Sequence, residues 1–344
     1  MQEISVEPCI SIYNNIDNVL QKEHSFLQYI GSKRKLIHNI IKNFRGNLVV
    51  DLMAGTHSLG YFLKDKVKVY ANDVMQYSYI IGKAFIESSI SDLDLLDIEY
   101  NDKFNFFERN YADTYFTLKQ CKDLDGIKYS IEKIRNFHLR ACYYSCLFNI
   151  LDRIGTTAGH FDGFLNSNTI KAKKRKTKNV KEYFNKEVLN FNNKPNLYGS
   201  LVYNMEAIDF LNQLQKADTI YIDPPYNHRQ YSTLYHIPEM FIRYSGEIKN
   251  CKYRYPKERY FSHYCYKSKA FDAFKQLIKQ CSEKSNNIVF SYSDNGIIPI
   301  KKLEALFSEH FSNIKIEQID YYHRKQKTSK GNGIVKEFIY TLNM

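Results

Sequence analysis

The chain has 344 residues, 44% hydrophobic and 25% charged, a composition that excludes a disordered protein and allows one large domain or two small ones. No apolar run nears the roughly 20 residues of a membrane span, and the first residues, MQEISVEPCISIYNN, lack the basic-then-apolar pattern of a secretory leader, so a cytoplasmic protein is expected. The formal net charge of +12 predicts attraction to polyanions, most often nucleic acid, although a generally Lys-rich proteome would give the same excess.

In chain order, the first notable stretch is FLQYIGSKRKLI (26–37), where Gly31-Ser32 makes a turn and Lys33 is placed to reach a carboxylate. NLVVDLMAG (47–55) reads as a buried strand closed by Asp51 and followed by a turn at Gly55, with Thr56 or Ser58 as helix cap. This is the plan of a nucleotide-type cofactor loop, but it is not Gly-x-Gly-x-x-Gly, and His57 stands where a second glycine is expected. Alone it fits an ordinary strand-helix turn. The next strand, VKVYAND (67–73), ends in Asp73, which lies 22 residues after Asp51 (73 − 51). An acid at that distance suits ribose hydroxyls; a helix N-cap is the structural alternative. The two features together favour a nucleoside cofactor.

Residues from about 86 to 199 break the strand-helix rhythm. They contain two helix-compatible stretches, SDLDLLDIEYNDKFNFFERNYADTYFTLK and IRNFHLRACYYSCLFNIL, and the basic run IKAKKRKTKN (170–179). We read an inserted, partly helical module with a basic exposed loop, in which Lys173, Lys174, Arg175 and Lys176 are candidate phosphate contacts. Strand-like runs then resume at 200–206, 218–226 and 286–294. The runs 314–324 and 334–343 flank KQKTSKGNG and predict a β-hairpin whose tip carries Lys325 and Lys327, two further candidate phosphate contacts. The expected fold is α/β: a mostly parallel sheet with a C-terminal antiparallel hairpin, formed by 1–85 and 200–344, interrupted by a mainly helical insert at 86–199. The seven cysteines follow no ligand or disulfide spacing, so reduced thiols and no metal site are expected.

The run TIYIDPPY (219–226) carries the most chemistry. An exocyclic amino group on a base is a poor nucleophile because its lone pair is delocalised into the ring. Hydrogen-bond acceptors for both N–H groups let the nitrogen pyramidalise. Asp223 supplies one acceptor, and the carbonyl of Pro224, stiffened by Pro225, supplies a second. Tyr226 offers a flat face for a base lifted from the duplex. The alternative is a Pro-rich strand exit with a buried tyrosine.

With YIGSK, DLMAGT, AND, an insert, DPPY and a last strand pair in that order, the chain resembles the Dam-like (D12 class) adenine-specific DNA methyltransferases over most of its length. The resemblance implies a Rossmann-like sheet, S-adenosylmethionine as cofactor and N6-methyladenine in duplex DNA as product. It implies that Tyr29, Gly31 and Lys33 lie near the cofactor, that Asp51, Ala54 and Gly55 form its loop, that Asp73 binds the ribose, and that Asp223 to Tyr226 are catalytic. Glu206 and Ala207, in NMEAIDFL, match the strand end that holds the cofactor's adenine. The NHRQY extension (227–231) resembles a subgroup from restriction systems and makes Arg229 and Tyr231 candidate DNA contacts, with a cognate endonuclease as a partner that forms no stable complex. An RNA adenine, or a cytosine-N4, methyltransferase would use the same tetrapeptide, and an inactive nucleic-acid-binding relative is the alternative outside enzymes. His57 departs from the family's small residue.

Overall fold

A computed structural model describes residues 29–322 and 334–344. Seven strands form one sheet: β1 (Leu48–Asp51), β2 (Lys68–Asn72), β3 (Leu201–Tyr203), β4 (Thr219–Ile222), β5 (Asn287–Ser293), β6 (Asn313–Tyr322) and β7 (Ile334–Asn343). Their order is β3-β2-β1-β4-β5-β7-β6. The first five are parallel, β7 runs antiparallel to β5, and β6 runs antiparallel to β7. This is the Rossmann-like methyltransferase sheet that the sequence implies, with its antiparallel C-terminal pair.

Strand periodicity explains the two cores. In β1, Val49 and Val50 face opposite ways, as do Tyr221 and Ile222 in β4 and Ile339 and Tyr340 in β7. Both faces are covered, so the centres of β1 and β4 are apolar, and β5 is buried along its whole length, its polar residues Asn287, Ser291 and Ser293 included. One face packs on the helices Ala207–Gln213, Ala270–Lys284 and Ile300–Ser308.

The other face continues into the insert. Its buried residues, including Leu124, Leu147, Phe148 and Phe184, share one apolar cluster with Val49, Val69 and Tyr221. The change of rhythm near residue 86 is therefore not a break in packing. Two buried polar side chains tie the junction. The Lys64 ammonium donates to the carbonyls of Phe85 and Ser88 at 2.7 and 2.8 Å, and the Asn193 amide donates to those of Ala84 and Ser88 at 2.9 and 3.1 Å.

The insert differs from expectation in two places. Residues 88–105 are irregular, and the first helix of the helix-compatible stretch starts at Phe106. Insert side chains satisfy this segment's backbone groups instead: Ser130 Oγ accepts from Glu99 N at 2.8 Å, and the Tyr143 hydroxyl donates to the Asp94 carbonyl at 2.8 Å. The basic run is the helix Ile170–Lys176, capped by Thr169, rather than a loop. Ala172 and Arg175, three apart on one helical face, turn inward. Arg175 is only 9% exposed and its guanidinium donates to the carbonyls of Gly155 and Thr157 at 2.6 and 2.8 Å, so it is not the surface phosphate contact expected of it. Lys173, Lys174 and Lys176 do point outward.

Candidate active site

The sheet reverses strand order between β1 and β4, and a crevice opens there beyond the carboxyl ends of the parallel strands. The loops that line it are extensions of the strands, held to one another as the strands are. Leu52 N donates to the Tyr221 carbonyl at 3.0 Å, Ala54 N to the Asn72 carbonyl at 2.9 Å and Asp73 N to the Tyr203 carbonyl at 3.2 Å. The Asn72 side chain adds a bridge, donating to the Leu52 and Met205 carbonyls at 3.2 and 3.1 Å and accepting from Met205 N at 3.1 Å. Asn72 was not among the expected site residues, although its place beside Asp73 at a strand end is a readable signal.

Gly55 answers to two constraints. Its φ of +55° is left-handed, and a Cβ there would lie 2.9 Å from the Tyr29 ring. Its N–H donates to Asp73 Oδ2 at 2.8 Å, while Asp73 Oδ1 accepts from Met75 N at 2.8 Å. Burial pushes the Asp73 carboxyl up to about 6 against these bonds. Neither Thr56 nor Ser58 caps the following helix, Ser58–Leu63. The cap position is His57, in the left-handed region at φ 60°. Its ring is wholly buried, with Nε2 2.9 Å from the Ser78 carbonyl; burial lowers its pKa to about 4, so it is a neutral packing residue.

The segment 29–33 closes the crevice from the other side. Tyr29, Tyr231 and Tyr235 form a three-ring cluster, with ring centroids 5.1, 4.8 and 6.0 Å apart. The Tyr231 hydroxyl donates to the Ile30 carbonyl at 3.0 Å, and the Tyr235 hydroxyl accepts from Ile30 N at 2.7 Å. Both backbone groups of Ile30 are thereby fixed, which sets the turn at Gly31 (φ +85°) and the direction of Lys33. Tyr231 thus faces inward on Tyr29, not outward as a DNA contact. Arg229, also expected there, is ion-paired with Asp162 of the insert at 3.1 Å.

The Lys33 ammonium lies 2.9 Å from Asp223 Oδ1 and 5.0 Å from the centre of the Tyr226 ring. Burial pulls the Lys33 pKa down, but Asp223, Tyr226 and Glu337 together outweigh it and the pKa is raised overall. Burial likewise raises the Asp223 carboxyl, and Lys33 opposes that rise. Tyr226 packs edge-on against Tyr292 at 5.6 Å, and its carbonyl accepts from Ile297 N at 2.7 Å, which anchors the far end of the tetrapeptide. Its hydroxyl donates to Glu337 Oε1 at 3.3 Å.

One continuous cleft, with about 1040 Å³ of atom-free space including its mouth, joins these parts. Tyr29, Gly31, Lys33, Asp51, Ala54, Gly55 and Asp73 all line it, as do Glu206, Ala207, Asp223, Pro225 and Tyr231; Pro224 and Tyr226 flank it. Tyr260, Ser262 and Tyr264 complete the wall near Glu206, whose Oε2 accepts from the Tyr260 hydroxyl at 3.1 Å. Lys325 and Lys327 lie outside the described residues. Among the described residues no three His, Cys, Asp or Glu side chains gather as metal ligands.

The sheet order and the acids at the ends of β1, β2 and β4 define a Rossmann-like methyltransferase. Residues 29–317 match the family model of the D12 class N6 adenine-specific DNA methyltransferases, and the chain belongs to that family. It is 29% identical to the modification methylase StsI of Streptococcus sanguinis over 91% of this chain and 51% of the relative. It is 26% identical to the type II methyltransferase M.FokI of Planomicrobium okeanokoites over 91% and 52%, and 27% identical to M.NlaIII of Neisseria lactamica over 89% and 95%. The chain thus spans about half the length of the first two relatives and nearly all of the third.

Proposed function

We propose that the chain transfers a methyl group from S-adenosylmethionine to the N6 amino group of an adenine flipped out of duplex DNA, as the cytoplasmic modification part of a restriction–modification system. The observation that carries the reading is the single cleft that runs from Asp73 and Glu206 to Asp223, so a nucleoside cofactor and a target amino group meet in one cavity.

The residues fit the cofactor. Asp73 uses one lone pair of each oxygen on the protein backbone and keeps others for vicinal ribose hydroxyls. Glu206 and Ala207 sit on the wall where the adenine would rest, and Gly55 lets the chain approach closely. The bound cofactor supplies an electrophilic methyl group on a sulfonium. The chain supplies the rest. Asp223 and the Pro224 carbonyl accept the two N–H bonds of the target nitrogen and draw its lone pair out of conjugation. Lys33 opposes the rise that burial imposes on the Asp223 carboxyl and so favours its ionised form. Tyr226 offers the flat face of its ring to the flipped base.

We assign target recognition to the insert at 86–199, together with the segment that follows the helix His236–Arg243. That segment packs on the insert, with Tyr253 stacked on Phe164 at 5.3 Å and its carbonyl accepting from the Tyr115 hydroxyl at 2.9 Å. Lys252 and Arg254 line a groove there opposite Lys176. Phosphate contacts from Lys173, Lys174 and Lys176 would position the duplex without reading its bases. A cognate endonuclease would recognise the same site without a stable complex.

The test is transfer of labelled methyl groups to duplex DNA, to single-stranded RNA and to DNA lacking adenine, with the modified base mapped. N6-methyladenine in duplex DNA is the expected product. Label found on RNA, or on cytosine N4, would replace this reading with one of its two enzyme alternatives. No transfer from a chain that binds both cofactor and DNA would make it an inactive relative.

A further inference from the structure

Glu337 belongs to none of the recognised motifs, yet it completes the charge cluster at the tetrapeptide. It lies on β7 opposite Ser293 of β5 and is only 4% exposed. It shares a strand face with the buried Ile339, so an acid occupies a core-facing position. Tyr226 donates to its Oε1, while its Oε2 has no hydrogen bond and faces the Lys33 ammonium at 3.8 Å. The charged and titratable groups around it are Lys33, Asp223, Tyr226 and Asp294, and Tyr221 on β4. A buried carboxylate oxygen left without a hydrogen bond is costly and calls for a reason.

The reaction proposed above offers one. As the N–C bond forms and the C–S bond breaks, its electron pair stays on sulfur and the amino nitrogen becomes cationic. One N–H proton then leaves through Asp223. An ion pair of Lys33 and Asp223 is neutral as a unit and does little for a developing cation, whereas a second carboxylate leaves the group with one net negative charge in a poorly screened site. We propose that Glu337 is a positioning residue for methyl transfer: it shares the Lys33 ammonium with Asp223 and supplies the net negative charge that stabilises the amino nitrogen as it turns cationic. The inference rests on the amino-methylation reading. Burial raises the Glu337 carboxyl to about 7, against Lys33, so its charge appears near neutral pH.

Glu337→Gln keeps the shape and the Tyr226 contact and removes the charge. The first measurement is independent of turnover. Because the folded carboxyl titrates near 7 and the unfolded one near its ordinary 4.5, the folded wild type keeps a proton that the unfolded chain has lost. Wild-type stability therefore falls, relative to Glu337→Gln, as pH rises from about 4.5 to about 7. The gap in Tm between variant and wild type should be larger at pH 8 than at pH 5. A gap that does not change with pH overturns the proposal. The second measurement is single-turnover transfer at pH 8. Glu337→Gln should be at least about tenfold slower with unchanged Kd for S-adenosylmethionine and DNA, and Glu337→Asp should recover part of the rate. Equal rates for the Glu337→Gln variant and the wild type overturn it. A wild type that shows the Tm signature but methylates no adenine overturns the functional reading and leaves the carboxylate's ionisation standing.

Discussion

Lys33 and Asp223 form a 2.9 Å ion pair across the mouth of the crevice, one from the segment that precedes the sheet and the other from the end of its central strand. The pair is largely withdrawn from water, so each charge depends on the other. Asp223→Ala should abolish methyl transfer, by about a hundredfold or more, because an acceptor at the nucleophile is lost. It also strands the Lys33 ammonium, so a lower Tm is expected with the fold retained. Near-normal turnover in a labelled-methyl assay would remove Asp223 from the reaction.

Lys33→Met makes the complementary statement about pH. Burial already raises the Asp223 carboxyl, and Lys33 is what holds it down. Without Lys33 the carboxyl pKa rises further, so the ionised, active form appears only at higher pH. The acid limb of the rate profile should move to higher pH, and activity lost at neutral pH should return in part under alkaline conditions. An unshifted limb would show that Lys33 does not control Asp223.

Asp73 separates cofactor from DNA. Asp73→Ala removes the carboxylate that holds Gly55 N and Met75 N and that is proposed to bind ribose hydroxyls. Charged hydrogen bonds contribute about 1.5–3 kcal/mol, so Kd for S-adenosylmethionine should rise by about tenfold or more while DNA affinity holds. Calorimetry that finds cofactor affinity unchanged would reduce Asp73 to a loop brace.

Tyr231 was expected at the DNA and is found against Tyr29 and Ile30. Tyr231→Phe keeps the stacked ring and loses only the bond to the Ile30 carbonyl. The expected result is weaker cofactor binding with no change in DNA affinity or in its salt dependence. Weaker DNA binding with intact cofactor affinity would return the residue to the interface.

The basic helix divides its own residues. Replacing Lys173, Lys174 and Lys176 together by Ala should weaken DNA binding and lower its log-log salt slope by up to about one unit per lost phosphate contact, with the methylated sequence unchanged. Arg175→Ala should instead lower Tm, since the carbonyls of Gly155 and Thr157 lose a charged donor, at a cost of about 1–3 kcal/mol. A salt slope that moves with Arg175 and not with the lysines would reverse the assignment.

Much of this protein was legible in its sequence. Apolar runs ended by polar residues marked β1 to β5, because a strand covered on both faces is largely apolar, and the spacing of the two last strand-like runs marked the β6–β7 pair. The short motifs marked Gly55, Asp73 and Asp223, because turns and strand ends have local steric and hydrogen-bonding demands. What the sequence did not show depends on contacts between distant segments. Arg175 looked like its lysine neighbours until the helix turned it onto Gly155 and Thr157. Tyr231 followed the tetrapeptide like a surface residue, but packing placed it on Tyr29. His57 read as a defect in the loop, and burial against Ser78 made it part of the core. Glu337 lies in a plain strand, and only the pairing of β7 with β5 brings it to Lys33 and Tyr226. Sequence periodicity fixes which face a side chain takes; the identity of its neighbour across the fold is a property of the packed chain alone.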